Sequence, residues 1–243
     1  MRNEKSASRG GKNLRIDGLQ KMTLLDFPGK VACTVFTGGC NFRCPFCHNA
    51  LLVTKLPEKP DYSEDEILSF LEKRTGLLDG VAITGGEPLL NPDIADFIRK
   101  IRDMGYAVKL DTNGSFPERL KAIVGEGLVD YVAMDIKNRR EKYAETVGLN
   151  SLDLSKIEES IDFLKSGAVD YEFRTTVVEQ FHTVEDITAA AEWISGAKRY
   201  FLQNFVDSGE LICEEVSGVD KETMIKMKSA AADFVPQTEI RGI

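Results

Sequence analysis

The sequence predicts an α/β fold in which one parallel β-sheet is covered by helices. Two observations carry this. From Val31 onward, six short apolar runs alternate with six segments of helical periodicity, the pattern produced when right-handed crossovers join parallel strands. The runs also end in polar residues: Thr84 before "GGE", Asp111 with Thr112, Asp135 with Lys137, Arg174 with Thr176, and Gln203 with Asn204. These are the carboxyl ends of the strands, where open doubly wound sheets and barrels alike build their sites. Six units leave a choice between an open doubly wound sheet and a curved, incomplete barrel.

The first run, "VACTVFTGG" (31–39), follows "GLQKMTLLDFPGK" and is β-branched and apolar, so it reads as a buried strand that delivers the chain into a cysteine-rich loop. "YSEDEILSFLEKRTG" opens with a capping box, Ser63 to Glu66, and continues with helical spacing at Ile67, Leu68, Phe70 and Leu71. "GVAIT" (80–84) is a strand, and the helix in "NPDIADFIRKIRDMG" takes Asn91 as N-cap and Pro92 as its first residue. Strand "YAVKLD" precedes helix "FPERLKAIVGEG", and strand "DYVAMDIK" precedes, after a loop, a helix from Ser155 with a further capping box at Glu158. Strand "YEFRTTVV" leads to a helix from Thr183 through Ile194, and strand "YFLQNFV" (200–206) leads through a long loop to a helix near 221–234. Trp193, at helical spacing with Ala189, Ala190 and Ile194, reads as packing, and His182 as the start of the turn before the Thr183 helix.

At 243 residues the chain can bury one sizeable core, and no repeat or low-complexity tract divides it. The expected organisation is a flexible tail over residues 1–14 and a single domain over residues 15–243. With 42% hydrophobic and 29% charged residues the composition is that of a globular protein. A net charge of -8 argues against a general nucleic-acid binder, which needs a basic surface. The polar segment "MRNEKSASRGGKN" is followed by no apolar run of signal-peptide or membrane-spanning length, so a cytoplasmic protein with no direct membrane or nucleic-acid partner is expected.

Five cysteines, three of them packed together, do not resemble a disulfide framework; in a reducing compartment the cluster reads as a metal site. Cys33 and Cys213 stand alone and read as small buried apolar residues. The loop "FTGGCNFRCPFCHN" (36–49) places Cys40, Cys44 and Cys47 within eight positions, with His48 next. A closed zinc site made of these three cysteines and His48 is one reading. Against it, adjacent residues rarely converge on one tetrahedral ion, and no second paired ligand set exists, His182 being the only other histidine. An iron-sulfur cube held by three thiolates instead keeps one iron open, which a cluster needs in order to bind a small molecule.

The C-x3-C-x2-C spacing, with aromatic Phe46 before the third cysteine, resembles that of the radical S-adenosylmethionine (SAM) enzymes. "ITGGEP" (83–88) is similar to the GGE motif of that family. There the backbone of Gly85 and Gly86 and the carboxylate of Glu87 are implied to hold the amino group of SAM, since glycines permit close approach and a carboxylate suits an ammonium. The resemblance runs from about Leu19 onward and implies a partial (β/α)6 barrel, a curved parallel sheet with helices on its outer face. It also implies that Asp135 and Lys137 of "DIK" lie beside the ribose and methionine of SAM and that Arg174 lies near its carboxylate. Gln203 and Phe205 flank the adenine, or else Phe205 is simply core. Asp111 points into the same mouth, or else caps a turn with Asn113 and Gly114; Arg174 grips SAM, or else pairs with Asp135 to hold two strands together.

Longer stretches, "TLLDFPGKVACTVFTGGCNFRCPFCHN", "LDTNG" and "MDIK", resemble the activating enzymes of glycyl-radical proteins. "GLQKMTLLDFPGK" is most similar to those acting on anaerobic ribonucleoside-triphosphate reductase, with the activators of pyruvate formate-lyase close behind. The implied chemistry is reductive cleavage of SAM at a 4Fe-4S cluster fed by a flavodoxin or ferredoxin, followed by removal of a glycine Cα hydrogen from the partner enzyme. An incomplete barrel suits such a substrate, because a loop of another protein must reach the cluster from the side. A small-molecule radical SAM enzyme, such as a 7-carboxy-7-deazaguanine synthase relative, shares the same motifs.

Overall fold

The computed structural model describes residues 14–207, 209–213 and 215–242. The tail expected over residues 1–14 lies outside them except for Leu14, which is buried in the core. Among the described residues one sheet of eight strands runs in chain order: β1 (Ile16–Thr23), β2 (Ala32–Thr37), β3 (Gly80–Gly85), β4 (Ala107–Thr112), β5 (Tyr131–Asp135), β6 (Asp170–Val177), β7 (Tyr200–Asn204) and β8 (Thr238–Arg241). β1 is antiparallel to β2, and every later neighbour pair is parallel. β1 and β8 form the two edges, so the curved sheet does not close on itself.

The six expected units are β2 to β7 with their helices. The longer helices are α2 (Glu64–Glu72), α3 (Ile94–Asp103), α4 (Pro117–Gly125), α6 (Ser155–Lys165), α7 (Val184–Trp193) and α8 (Lys221–Ala232), with single turns at α1 (Leu51–Thr54) and α5 (Tyr143–Thr146). Capping explains several of their starts. Ser63 and Glu66 close a reciprocal capping box on α2, Thr183 and Asp186 do the same on α7, and Asp220 accepts from the Thr223 amide at the start of α8.

Two expected caps are absent. Asn91 ends a short 3-10 turn (Pro88–Leu90), so α3 starts two residues later than expected, with Asp93 at its N-cap. The helix at Ser155 has Leu154 at its N-cap and no side-chain cap. There the Ser155 amide donates to Asp153, while Glu158 pairs outward with Arg140. β1 and β8 were likewise not expected: three of the eight residues of β1 are exposed, and β8 is only four residues long, so neither reads as a buried run.

Side-chain alternation separates two environments. On β6, Tyr171, Phe173 and Val177 join the main apolar core, whereas Glu172, Arg174 and Thr176 occupy the alternate positions. Trp193 packs edge-on against Tyr143 in that core, at 5.7 Å between ring centroids, as the packing reading requires. Cys33 is fully buried, but Cys213, expected to be buried, is partly exposed.

Opposite the carboxyl ends of the strands, Glu172 is 1% exposed and needs partners. Arg241 of β8 supplies two hydrogen bonds, at 2.8 and 3.0 Å, and the Tyr131 hydroxyl a third at 2.9 Å. The last strand is thereby tied to the middle of the sheet. Replacing Arg241 with Met leaves a buried carboxylate short of its cation and should lower stability by roughly 3 kcal/mol in urea unfolding; a change below about 1 kcal/mol would show that the pair does not fasten β8.

Candidate functional site

The cysteine loop lies across the carboxyl ends of the parallel strands and is pinned to each in turn. The Gly39 carbonyl accepts from the Glu87 amide at 2.8 Å, and the Asn49 side chain donates to the Gly85 carbonyl at 2.8 Å, both just beyond or at the end of β3. The Arg43 amide donates to Val147 at 2.9 Å, after β5. Phe46 packs against Phe181 and His182, after β6, and the His48 ring stacks on Phe205, after β7, at 5.1 Å and 8°.

Beyond β4 the attachment is a closed ring of hydrogen bonds. The Asn41 amide donates to the Ser115 hydroxyl at 2.9 Å, that hydroxyl donates to Asn113 Oδ1 at 2.5 Å, and Asn113 Nδ2 donates back to Asn41 Oδ1 at 3.0 Å. Each member is both donor and acceptor, so the bonds polarise one another in the same sense. Asn113 Nδ2 also lies 3.9 Å from Cys40 Sγ, and the Phe42 amide donates to the same sulfur at 3.3 Å.

Glu87 is placed differently from expectation. Its carboxylate does not reach the cavity; it is fully buried behind the loop and accepts from the Leu89 amide at 3.0 Å, the Thr112 hydroxyl at 2.9 Å and the Asn113 amide at 2.7 Å. Burial pushes its pKa up to about 7 despite these donors. The glycines before it also serve packing. Gly85 has a φ of +123°, and a methyl on either glycine would collide with backbone of the cysteine loop or of Thr37.

Beneath the loop, five charged side chains alternate in sign across three strands. Lys109 pairs with Asp111, Asp111 with Arg174 at 3.2 Å, Arg174 with Asp135 at 3.2 Å, and Asp135 with Lys137 at 2.9 Å. Burial raises both carboxyl pKa values, but the cations outweigh it: Arg174 and Lys109 hold Asp111 below the usual carboxylate range, and Lys137 and Arg174 hold Asp135 at about 2. Both are therefore ionised near neutral pH. Arg174 gives its Nε proton to Asp135 and one Nη1 proton to Asp111, and among the described residues no acceptor takes its Nη2 protons. A guanidinium has five donors, so three remain for a ligand.

One cavity gathers most of the expected residues. Cys40, Cys44, Cys47, Phe46, Gly85, Gly86, Asp111, Asp135, Lys137, Arg174 and Gln203 all line it. Glu87 and Phe205 do not line it. Asp111 does not cap the following turn; Thr112 Oγ1 accepts from Gly114 and Asn113 Oδ1 from Ser115. His182 is structural, its Nε2 meeting the Lys137 carbonyl at 2.8 Å and its other nitrogen the backbone of Val178. Sequence reasoning did not single out Asn41, Ser115 or Lys109, and gave Asn113 only a place in a turn; for Asn113 and Ser115 the available signal was the polar run "TNGS" directly after a strand.

The zinc reading does not survive the geometry. His48 faces the Val206 carbonyl at 3.0 Å, and among the described residues no three or more His, Cys, Asp or Glu side chains converge on the position of one ion. Burial pushes the thiols of Cys40 and Cys44 up to about 11 and about 12. Three soft sulfur donors spread around one cavity, beside the Lys137 cation, fit a cluster that takes them as thiolates and is larger than a single ion.

Comparison with known proteins agrees with this donor set. The Radical SAM superfamily model matches residues 34–202. A Methanocaldococcus jannaschii protein, MJ1227, that bears the name of a glycyl-radical enzyme activating enzyme is 34% identical over 194 residues, covering 78% of this chain and 79% of the relative. The pyruvate formate-lyase-activating enzyme of Clostridium pasteurianum is 32% identical over 133 residues, covering 51% of this chain and 52% of its own length. The crystal structure of Streptococcus suis SuiB bound to S-adenosylmethionine shares the fold at a TM-score of 0.67 and 13% identity, covering 84% of this chain and 48% of that one.

If Glu87 organises the loops, its removal should register as instability. Glu87→Ala strands two buried amides and a hydroxyl and should cost about 2–4 kcal/mol in chemical unfolding, where a carboxylate serving only a ligand would cost next to nothing. Because burial raises its pKa from 4.5 to about 7, the stability it contributes is complete below 4.5 and is lost as pH rises through 7. Glu87→Gln should flatten that decline in a pH series of unfolding curves.

Proposed function

The chain belongs to the radical SAM superfamily, and from that membership we propose that Cys40, Cys44 and Cys47 hold its 4Fe-4S cluster and that the protein generates a glycyl radical on a partner enzyme, the anaerobic ribonucleoside-triphosphate reductase. The observation that carries the site is the meeting of three thiols with the open donors of Arg174 in one cavity. The similarity to MJ1227 along most of both chains supports the glycyl-radical activating class, and the resemblance of "GLQKMTLLDFPGK" supports the choice of reductase.

When bound, the cluster, fed by a flavodoxin or ferredoxin, would supply the one-electron reductive cleavage of SAM and, through it, the means to take a hydrogen atom from a glycine Cα. The residues of this chain do the rest by position. Phe42 N–H and Asn113 fix the Cys40 sulfur. Arg174 presents its free Nη2 edge to a carboxylate, the group that a guanidinium binds in two-point fashion. The Gly85 and Gly86 backbone would meet the amino group, and Asp135, Lys137 and Gln203, which line the same cavity, would face the nucleoside end. Because the Glu87 carboxylate is turned away, the backbone of the GGE segment, and not the acid, meets the ligand.

Anaerobic reconstitution should give a brown protein with about four irons per chain, and Ala at Cys40, Cys44 or Cys47 should abolish SAM cleavage while Ala at Cys33 or Cys213 should not. Incubation with SAM, a one-electron reductant and the anaerobic reductase of the same organism should produce the doublet electron paramagnetic resonance signal of a glycyl radical, absent when the target glycine is replaced with alanine. A signal seen only with pyruvate formate-lyase would transfer the assignment to that enzyme. No signal with any glycyl-radical protein, together with turnover of a small molecule, would defeat it.

A further inference from the structure

Lys109 stands outside every motif. Its side chain is 2% exposed, it does not line the cavity, and its one polar contact among the described residues is with Asp111, two positions along the same strand and on the same face. A lysine this deeply buried is costly unless its charge has a task.

The alternating series ends in a lysine at each side, so three cations meet two carboxylates. The nearby Glu172 is matched separately by Arg241 and Tyr131, and Glu87 takes its donors from the Thr112 hydroxyl and the Leu89 and Asn113 amides. The buried series therefore carries one positive charge in excess. Without Lys109 the two cations and two carboxylates would balance, and Asp111 would have only Arg174 to neutralise it. The guanidinium would then be drawn to Asp111 and the series would lose its surplus charge.

We propose that Lys109 is a positioning residue for the carboxylate end of SAM: by neutralising Asp111 from beneath, it leaves the guanidinium of Arg174 available to an anionic group in the cavity. This rests on the reading above that Arg174 meets that carboxylate. It adds a residue that touches neither ligand nor cluster and acts through two others.

The test compares SAM with decarboxylated SAM, which keeps the sulfonium and the amine and lacks the carboxylate. Binding of both to the anaerobically reconstituted protein is measured by calorimetry, with iron content and circular dichroism recorded for each variant. Lys109→Met should weaken SAM by about tenfold or more while changing the decarboxylated analogue by less than about threefold, because the lost interaction is between charges. Lys109→Arg, which keeps the charge, should bind SAM nearly as wild type does. Equal weakening of both ligands, as a merely structural lysine would give, overturns the proposal; so does unchanged SAM binding in Lys109→Met. If Lys109→Met does not fold, Lys109→Met/Asp111→Asn restores the single excess charge without an unpaired carboxylate and should keep the wild-type preference for SAM. Loss of that preference in the folded double variant counts against it. A wild-type protein that binds the two ligands equally well would instead show that Arg174 does not meet the carboxylate, removing the premise as well.

Discussion

A carboxylate with no access to water has to be given donors, and the way Glu87 obtains them holds the site together. Its donors come from the Thr112 side chain, the Asn113 amide and the Leu89 amide. The end of β3 is thereby locked to the turn after β4. Asn113 then carries the constraint onward through its side chain to Asn41 and the Cys40 sulfur. Three segments, the outer two of them 72 residues apart in the chain, thus behave as one body. The glycines at 85 and 86 are needed because that body leaves no room for a Cβ against Thr37 and Gly39.

The sheet sets the second constraint. Curving a parallel sheet points alternate side chains toward a common axis, and here those positions hold ions in place of a packed apolar filling. In a low-dielectric interior such charges persist only when each meets its opposite with good geometry. The alternating order from Lys109 to Lys137 satisfies this across three strands, at the cost of fixing each side chain in one place. Fixed charge is what a binding site needs, since a guanidinium already held by two carboxylates loses little further freedom when a ligand arrives.

What the sequence revealed follows from the range of the interactions involved. The β2 to β7 units and the capping boxes of α2 and α7 depend on local spacing, and they were legible. The cysteine loop was legible as well, because its three cysteines sit within eight positions. β1 and β8 were not, since edge strands need no buried run and owe their place to long-range partners, Thr37 and Val35 for β1 and Glu172 for β8. The Ser155 box failed for a comparable reason: Glu158 had a better partner in Arg140, one that only the fold brings near. The orientation of Glu87 was hidden too, because a motif states which residue stands at a strand end and not which way its side chain turns. Lys109 is the extreme case. Within "YAVKLD" a lysine marks a solvent-facing position, and only the curvature of the sheet shows that it faces inward.

The sheet remains open between β1 and β8, yet the mouth of the barrel does not rely on strand pairing for its shape. The cysteine loop leaves β2 and meets the far side of the molecule at three points. These are the stacking of His48 on Phe205, the contact of its Nε2 with the Val206 carbonyl, and the hydrogen bond from the Cys213 amide to the Pro45 carbonyl at 2.9 Å. The loop after β7 is itself clamped at its base, where the Asn204 side chain both donates to and accepts from the backbone of Val219 at 2.9 and 3.0 Å. Closure by a loop has a consequence that closure by a strand would not. A strand pair would seal the wall along its whole length, whereas the loop spans only the carboxyl ends and, among the described residues, β1 and β8 stay unpaired with each other below it. The same residues that present three thiols to the cavity thus also span its mouth, so the position of the sulfurs and the shape of the entrance are set by one structural element.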